Sequence, residues 1–122
     1  MAWHFRADLP IYTQLVDHLT QGILSGAYAP GQRMPAVREL AAQAGVNPNT
    51  MQRALAQMES SGLLTGHRTA GRFVTEDGAV IAAVRSRLAR QRTADYLRSM
   101  QELGYDHAQV RHLIGTWGEE ET

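Results

Sequence analysis

Residues 45–55 read GVNPNTMQRAL, and their polar side chains are the ones best placed to do chemistry. Take 48–60 as a helix with Met51 at the centre of its buried face. At about 100° per residue, Asn49, Arg53 and Ala56 then point nearly opposite, and Gln52 lies at the flank. Asn and Gln amides match the donor–acceptor edge of adenine, and the Arg guanidinium matches guanine. The uncapped N–H groups and the dipole at a helix N-terminus favour phosphate. The small Ala56 would let such a helix lie deep in a groove. Two blander readings stand beside this one. Asn47 is placed to be an N-cap with Pro48 at the first helical position, where a missing N–H is harmless. The remaining polar groups could simply form a solvated helix face.

Other chemistries lack their residues. There is no Cys, which excludes disulfides and thiolate zinc sites. There is no Lys, so all twelve basic residues are Arg, which excludes a Schiff-base or phosphate-loop lysine. The five His, at 4, 18, 67, 107 and 112, make no metal-binding pair on one helix face, so no metal site is expected. No paired carboxylates stand near a nucleophile or base, so no catalytic residue is assigned and no cofactor is expected. No apolar run is long enough to span a membrane, and MAWHFRADLP lacks the apolar core of an export signal; the cytoplasm is the expected location.

Net charge is zero, but its distribution is uneven. Residues 31–92 hold nine Arg and four acids, net +5, whereas residues 93–122 hold two Arg and six acids, net −4. A basic middle points to an anionic partner.

These side chains need elements to position them. Tyr12, Leu15, Val16, Leu19, Ile23 and Leu24 predict an amphipathic first helix closed by Gly26. Pro30-Gly31 is a turn, and 32–34 is a candidate short strand. Val37, Leu40, Ala41 and Ala44 predict a second helix of about two turns, ended by Gly45. The third helix buries Met51, Ala54, Leu55 and Met58. LLTGHRTAGRFVTE predicts two short strands around a turn. From Gly78 a long helix follows and ends near Gly104. Asp106 and Gln109 predict a capping box for a last helix. Two short helices joined at Gly45-Val46 form a helix-turn-helix, and the hairpin adds a wing. The expected fold is mainly α: a winged helix-turn-helix of three helices and a small β-hairpin over residues 1–77, then two C-terminal helices over 78–122.

The tail has its own pattern. Ile81, Val84 and Leu88 begin an apolar stripe. Tyr96, Leu97, Met100 and Leu103 resume it after polar residues 90–93, and Val110, Leu113, Ile114 and Trp117 supply a second helix. Two helices cannot bury both faces within one chain, so a second copy is expected to complete the core as a homodimer. Folding back onto the chain's own winged domain is the alternative. Tyr12, Leu15, Leu19 and Ile23 read as core, Trp117 as packing, and Glu39 and Glu59 as helix-surface or ion-pair residues. Trp3 and Phe5 could cover either the domain or the dimer seam.

From residue 10 to 75 the chain resembles the DNA-binding domain of the GntR family of bacterial transcription regulators. The matching pieces are Pro10-Ile11-Tyr12, Ile23-Leu24-Ser25-Gly26, Pro30-Gly31, Met34-Pro35, Arg38-Glu39-Leu40-Ala41, Gly45-Val46, Thr50, Arg53-Ala54-Leu55, Glu59, Gly62-Leu63-Leu64, and Gly71 with Phe73-Val74. The Val-Asn-Pro-Asn-Thr entry and the short tail resemble the YtrA-type subfamily, in which two C-terminal helices make a homodimer. The resemblance implies that Arg38 grips DNA at the start of the second helix, that Asn47, Asn49, Thr50 and Arg53 lie in the recognition region, and that the wing tip, 67–72, enters the minor groove. Three positions depart from the family pattern. Ala36 stands where a capping Ser is common, Thr69-Ala70-Gly71 replaces Gly-x-Gly, and Arg72 replaces a small residue, adding a cation near the groove.

The function expected is a sequence-specific regulator of transcription, a repressor, binding a pseudo-palindromic double-stranded DNA operator as a homodimer. The DNA-binding residues are Arg38, Asn47, Asn49, Thr50, Gln52, Arg53, Arg68, Thr69, Gly71 and Arg72. The subfamily resemblance adds control of a transporter operon and a small-molecule effector of unknown identity. The alternative is a winged-helix module for protein–protein contact, which would not need those arginines along one edge. An enzyme is not expected, because the tail is too short for the aminotransferase-like domain of some relatives and carries no lysine for its cofactor.

Overall fold

The computed structural model describes residues 3–119. It divides into two compact units, Met1–Ala83 and Val84–Thr122.

In the first unit, helix α1 (Ile11–Leu24) buries Leu15, Leu19, Thr20 and Ile23. The buried stripe is therefore rotated from the one expected: Tyr12 and Val16 are only half-buried. Gln14 ties the preceding segment to this helix, accepting from the Arg6 N–H at 2.7 Å and donating to the Arg6 carbonyl at 2.8 Å. Trp3 stacks on His18 of α1, ring centroids 3.8 Å apart, and Phe5 lies tilted beside it, so both aromatics pack in their own unit. Gly26, at φ +88°, turns the chain out of the helix.

Helix α2 (Val37–Ala44) and helix α3 (Pro48–Ser60) meet at the expected turn. Gly45 adopts φ +74°, where a Cβ would be strained. The Gly45 and Val46 N–H groups both return to the Ala41 carbonyl, at 2.9 and 3.0 Å, satisfying the end of α2. Ala41 and Ala44 are 2% and 1% exposed, and small side chains at these sites let the helices approach closely. The inward residues of α3 are the four expected: Met51, Ala54, Leu55 and Met58.

Strands β1 (Leu64–His67) and β2 (Gly71–Val74) pair antiparallel, with Leu64 opposite Val74 and His67 opposite Gly71. The short strand expected at 32–34 reduces to one bridge, Arg33 with Phe73, flanked by Met34 N–H to Arg72 O at 2.8 Å and Val74 N–H to Gln32 O at 2.9 Å. These bonds anchor the base of the hairpin and leave its tip projecting.

Helix α4 (Gly78–Gln101) begins in the first unit, with Asp77 capping the Ala79 N–H at 2.9 Å, and continues into the second. Gly104, at φ +89°, ends the turn after it. Helix α5 (His107–Gly115) carries the expected capping box: Asp106 accepts from the Gln109 N–H at 2.8 Å, and Gln109 accepts from the Asp106 N–H at 2.9 Å.

Candidate nucleic-acid interface

The tip of α3 answers in part to both readings of its polar residues. Asn47 is the N-cap, its Oδ1 accepting from the Asn49 N–H at 2.8 Å. That bond satisfies one of the helix's orphan donors, so the Asn47 carbonyl oxygen is engaged in holding the helix start. Asn49, Gln52 and Arg53 are exposed, and Thr50 is half-buried. None of these is needed by the core.

Arg53 is held in a way its position in the sequence does not suggest. Its guanidinium lies over the Tyr12 ring, 3.7 Å from the centroid, a cation–π contact between α3 and the first turn of α1. Tyr12 is thus a support for a polar residue rather than a purely buried one. Around the pair, Pro10, Ile11, Tyr12, Asn49, Thr50 and Arg53 line a shallow open depression.

Arg38 stands exposed in the first turn of α2. Ala36 precedes that helix and gives it no side-chain cap, as its chemistry requires. In the wing, residues 68–70 form the turn, closed by the Ala70 N–H to the His67 carbonyl at 3.1 Å. Arg68 and Thr69 are exposed at its tip. Gly71 has φ +92°, and a Cβ there would sit 3.3 Å from Arg33 Nε. Arg33 therefore places a second cation against the wing, one that sequence reasoning missed. Only its membership of the basic middle segment hinted at it. Among the described residues, Arg33, Arg38 and Arg68 make no ion pair.

Arg72 does not lie free at the groove as expected. Its side chain is only 17% exposed and forms an ion pair with Glu59 of α3. Its Nη1 also donates to Gln52 Oε1 at 3.4 Å. The cation is neutralised within the unit, so the wing's unpaired charge comes from Arg33 and Arg68 instead.

The expected dimer residues divide into three groups. Ile81, Val84 and Val110 are already buried in the single chain, at 8%, 4% and 2% exposure. Leu88, Leu97, Met100 and Leu113 are half-buried, whereas Tyr96, Leu103, Ile114 and Trp117 are exposed. Tyr105, which the apolar spacing did not mark, is exposed with them. Among the described residues no group of His, Cys, Asp or Glu could hold a metal ion, and no helix is long and apolar enough to cross a membrane.

A helix-turn-helix whose second helix presents an amide- and guanidinium-bearing face, flanked by a hairpin with Arg68 at its tip and Arg33 beside it, defines a winged helix-turn-helix protein. The chain belongs to the family described as bacterial regulatory proteins, gntR family, whose model matches residues 11–74. It is 32% identical over 115 residues to the HTH-type transcriptional regulator YhcF of Bacillus subtilis (strain 168), covering 94% of this chain and 95% of that protein. It is 35% identical over 72 residues to the HTH-type transcriptional repressor YtrA of the same organism, covering 59% of this chain and 55% of that one. Among solved structures, a GntR family transcriptional regulator from Listeria monocytogenes superposes with a TM-score of 0.85 at 32% identity, over 92% of this chain and 98% of its own. AraR(DBD) in complex with operator ORX1 superposes with a TM-score of 0.56 at 31% identity, over 59% of this chain and 93% of its own. The protein is a helix-turn-helix transcription regulator, as its relatives are, and not an enzyme.

Proposed function

We propose that this regulator is a homodimeric repressor that reads a pseudo-palindromic operator, with α3 in the major groove and the wing tip beside it. The observation that carries the reading is the exposed edge formed by Asn49, Gln52 and Arg53 on α3 with the unpaired Arg38, Arg33 and Arg68 around it. Base-edge donors and acceptors sit at the helix tip, where a recognition helix reaches bases, and the unpaired cations flank them, where phosphates would run. Asn49, Thr50 and Arg53 are the base-reading candidates, with Gln52 beside them. Arg38, Arg68 and Thr69 serve the backbone, and Gly71 gives the wing its turn.

Operator binding by AraR(DBD), which superposes over 59% of this chain at 31% identity, supports the DNA target. The naming of YtrA as a repressor supports the sign of regulation. The exposed Tyr96, Leu103, Ile114 and Trp117 support a second copy joined through the tail. Two copies would engage half-sites one helical turn, roughly 34–36 Å, apart. Control of a transporter operon, with a small-molecule effector, completes the proposal on the strength of the subfamily resemblance.

Titrating Arg38→Ala and Arg53→Ala against the DNA upstream of the protein's own gene, at several salt concentrations, tests this reading. Arg38 is exposed, so Arg38→Ala should change stability by no more than about 0.5 kcal/mol; Arg53→Ala also loses the Tyr12 contact and should cost about 0.5–1 kcal/mol. A lost phosphate contact should lower the salt slope by about one unit, and a lost base contact should cost about 1–3 kcal/mol. Parent-like binding by both variants would place the DNA elsewhere.

A further inference from the structure

Arg72 stands on β2, opposite Gly66 on β1. Glu59, near the end of α3, crosses over Gly66 to reach it. A Cβ at residue 66 would come within 2.8 Å of Glu59 Oε2, so a side chain there would make the Glu59 carboxylate shift, whereas glycine leaves it in place. The Arg72 Nε donates to Glu59 Oε1, and Nη1 of the same planar fork donates to Gln52 Oε1 at 3.4 Å. Gln52 and Glu59 lie seven residues, about two turns, apart on one face of α3, so one guanidinium can serve both.

The chemistry sets the direction of the Gln52 amide. A guanidinium has donors only, so the reverse orientation would set the amide NH2 donor against donor. The carbonyl oxygen must face Arg72, and the NH2 group turns away from it. We propose that Arg72 is a positioning residue for base recognition: held by Glu59, it fixes the Gln52 amide so that its NH2 is presented as a donor to an acceptor on a base edge. Guanine, adenine and thymine each offer such an acceptor in the major groove, whereas cytosine offers only its amino donor. Gln52 therefore discriminates against cytosine at one operator position. This assignment rests on the reading of α3 as the recognition helix and goes beyond it by stating what one residue reads and what orients it.

Selection from an operator library randomised at each base pair tests it, comparing the full-length parent with Gln52→Ala, Arg72→Lys, Gln52→Glu and Arg38→Ala. Lysine keeps a charge for Glu59 but lacks the planar fork that serves two partners. Arg72→Lys is expected to lose selectivity at the same base pair as Gln52→Ala, about tenfold, with preferences elsewhere and the salt slope unchanged. Gln52→Glu keeps a partner for Arg72 while replacing the outward donor with an acceptor, so preference at that pair should shift toward cytosine. This second variant leaves Arg72 intact and reports even if Arg72→Lys loosens the wing. If Gln52→Ala relaxes one base pair and Arg72→Lys leaves it selective, or if Gln52→Glu brings no shift toward cytosine, the positioning role is overturned while the recognition helix stands. A uniform loss on all sequences by Arg72→Lys makes Arg72 a strut of the wing only and overturns it too. If none of the four variants alters binding, Arg38→Ala included, the recognition-helix reading itself has failed.

Discussion

Leu15, Leu19 and Leu55 of the winged unit are sealed from water, at 0%, 0% and 1% exposure, whereas Ile114 and Trp117 of the tail stand 58% and 71% exposed. Both regions are built from helices with apolar stripes, and each holds one with a side-chain N-cap, Asn47 in the first and Asp106 in the second, so local signals do not separate them. Closure does. Three helices and a hairpin can surround a core, and no buried side-chain polar atom among the described residues is left without a partner. The tail is α5 and most of α4, and its apolar stripe is interrupted by the exposed polar residues 90–93. The winged unit can therefore devote its polar edge to a ligand, whereas the exposed Tyr96, Leu103, Ile114 and Trp117 of the tail are the surface that the proposed second copy would cover.

Removing the tail should have the largest effect. A chain ending after Ala83 keeps the compact N-terminal unit with Ile81 in place, and it should sediment as a folded monomer while the full chain sediments as a dimer. Because the second half-site is then no longer tethered, affinity for the full operator should fall by about 10²–10⁴. A full-length chain that is monomeric at micromolar concentration would remove the contrast between the two regions.

Single truncations in each region sharpen it. Leu19→Ala, in the sealed core, should cost about 2–5 kcal/mol in chemical denaturation. Trp117→Ala should leave the monomer's stability within about 0.5 kcal/mol, yet weaken dimerisation by about 2 kcal/mol if the indole is an anchor of the seam. The two effects separate by concentration: only the second should change with the amount of protein. A dimer unaffected by Trp117→Ala would take that residue out of the seam.

What the sequence disclosed and what it hid follow the same division between local and non-local causes. The N-cap at Asn47, the positive φ at Gly45 and the capping box at Asp106 each depend on residues within a few positions, and each was readable. So were the four inward residues of α3, because its stripe is covered along its whole length. Tyr12 was misread because periodicity assigns it to the apolar stripe, but at the first turn of α1 the stripe has run past the covered region, and Arg53 takes the ring instead. The Arg72–Glu59 pair spans thirteen residues and exists only once the hairpin folds back along α3. Nothing local marks it, nor the space that Gly66 leaves for it. In the tail the apolar positions were readable, but which of them the chain would bury by itself, Val84 and Val110, was not.

The smallest expected effect returns to the tip of α3. Asn47 and Asp106 do the same work in the two regions, each accepting a backbone N–H at 2.8 Å at the start of its helix. Replacing either by Ala should cost about 1 kcal/mol. Serine caps about as well as asparagine but carries no amide, so Asn47→Ser separates the cap from any contact with DNA. The amide oxygen is already committed to the Asn49 N–H, and the side chain lies along the helix start. Asn47→Ser should therefore leave both thermal stability and operator affinity at the parent's values, while Asn47→Ala lowers stability. Retained stability with weakened operator binding in the serine variant would show that the Asn47 amide reaches the DNA as well as its own backbone.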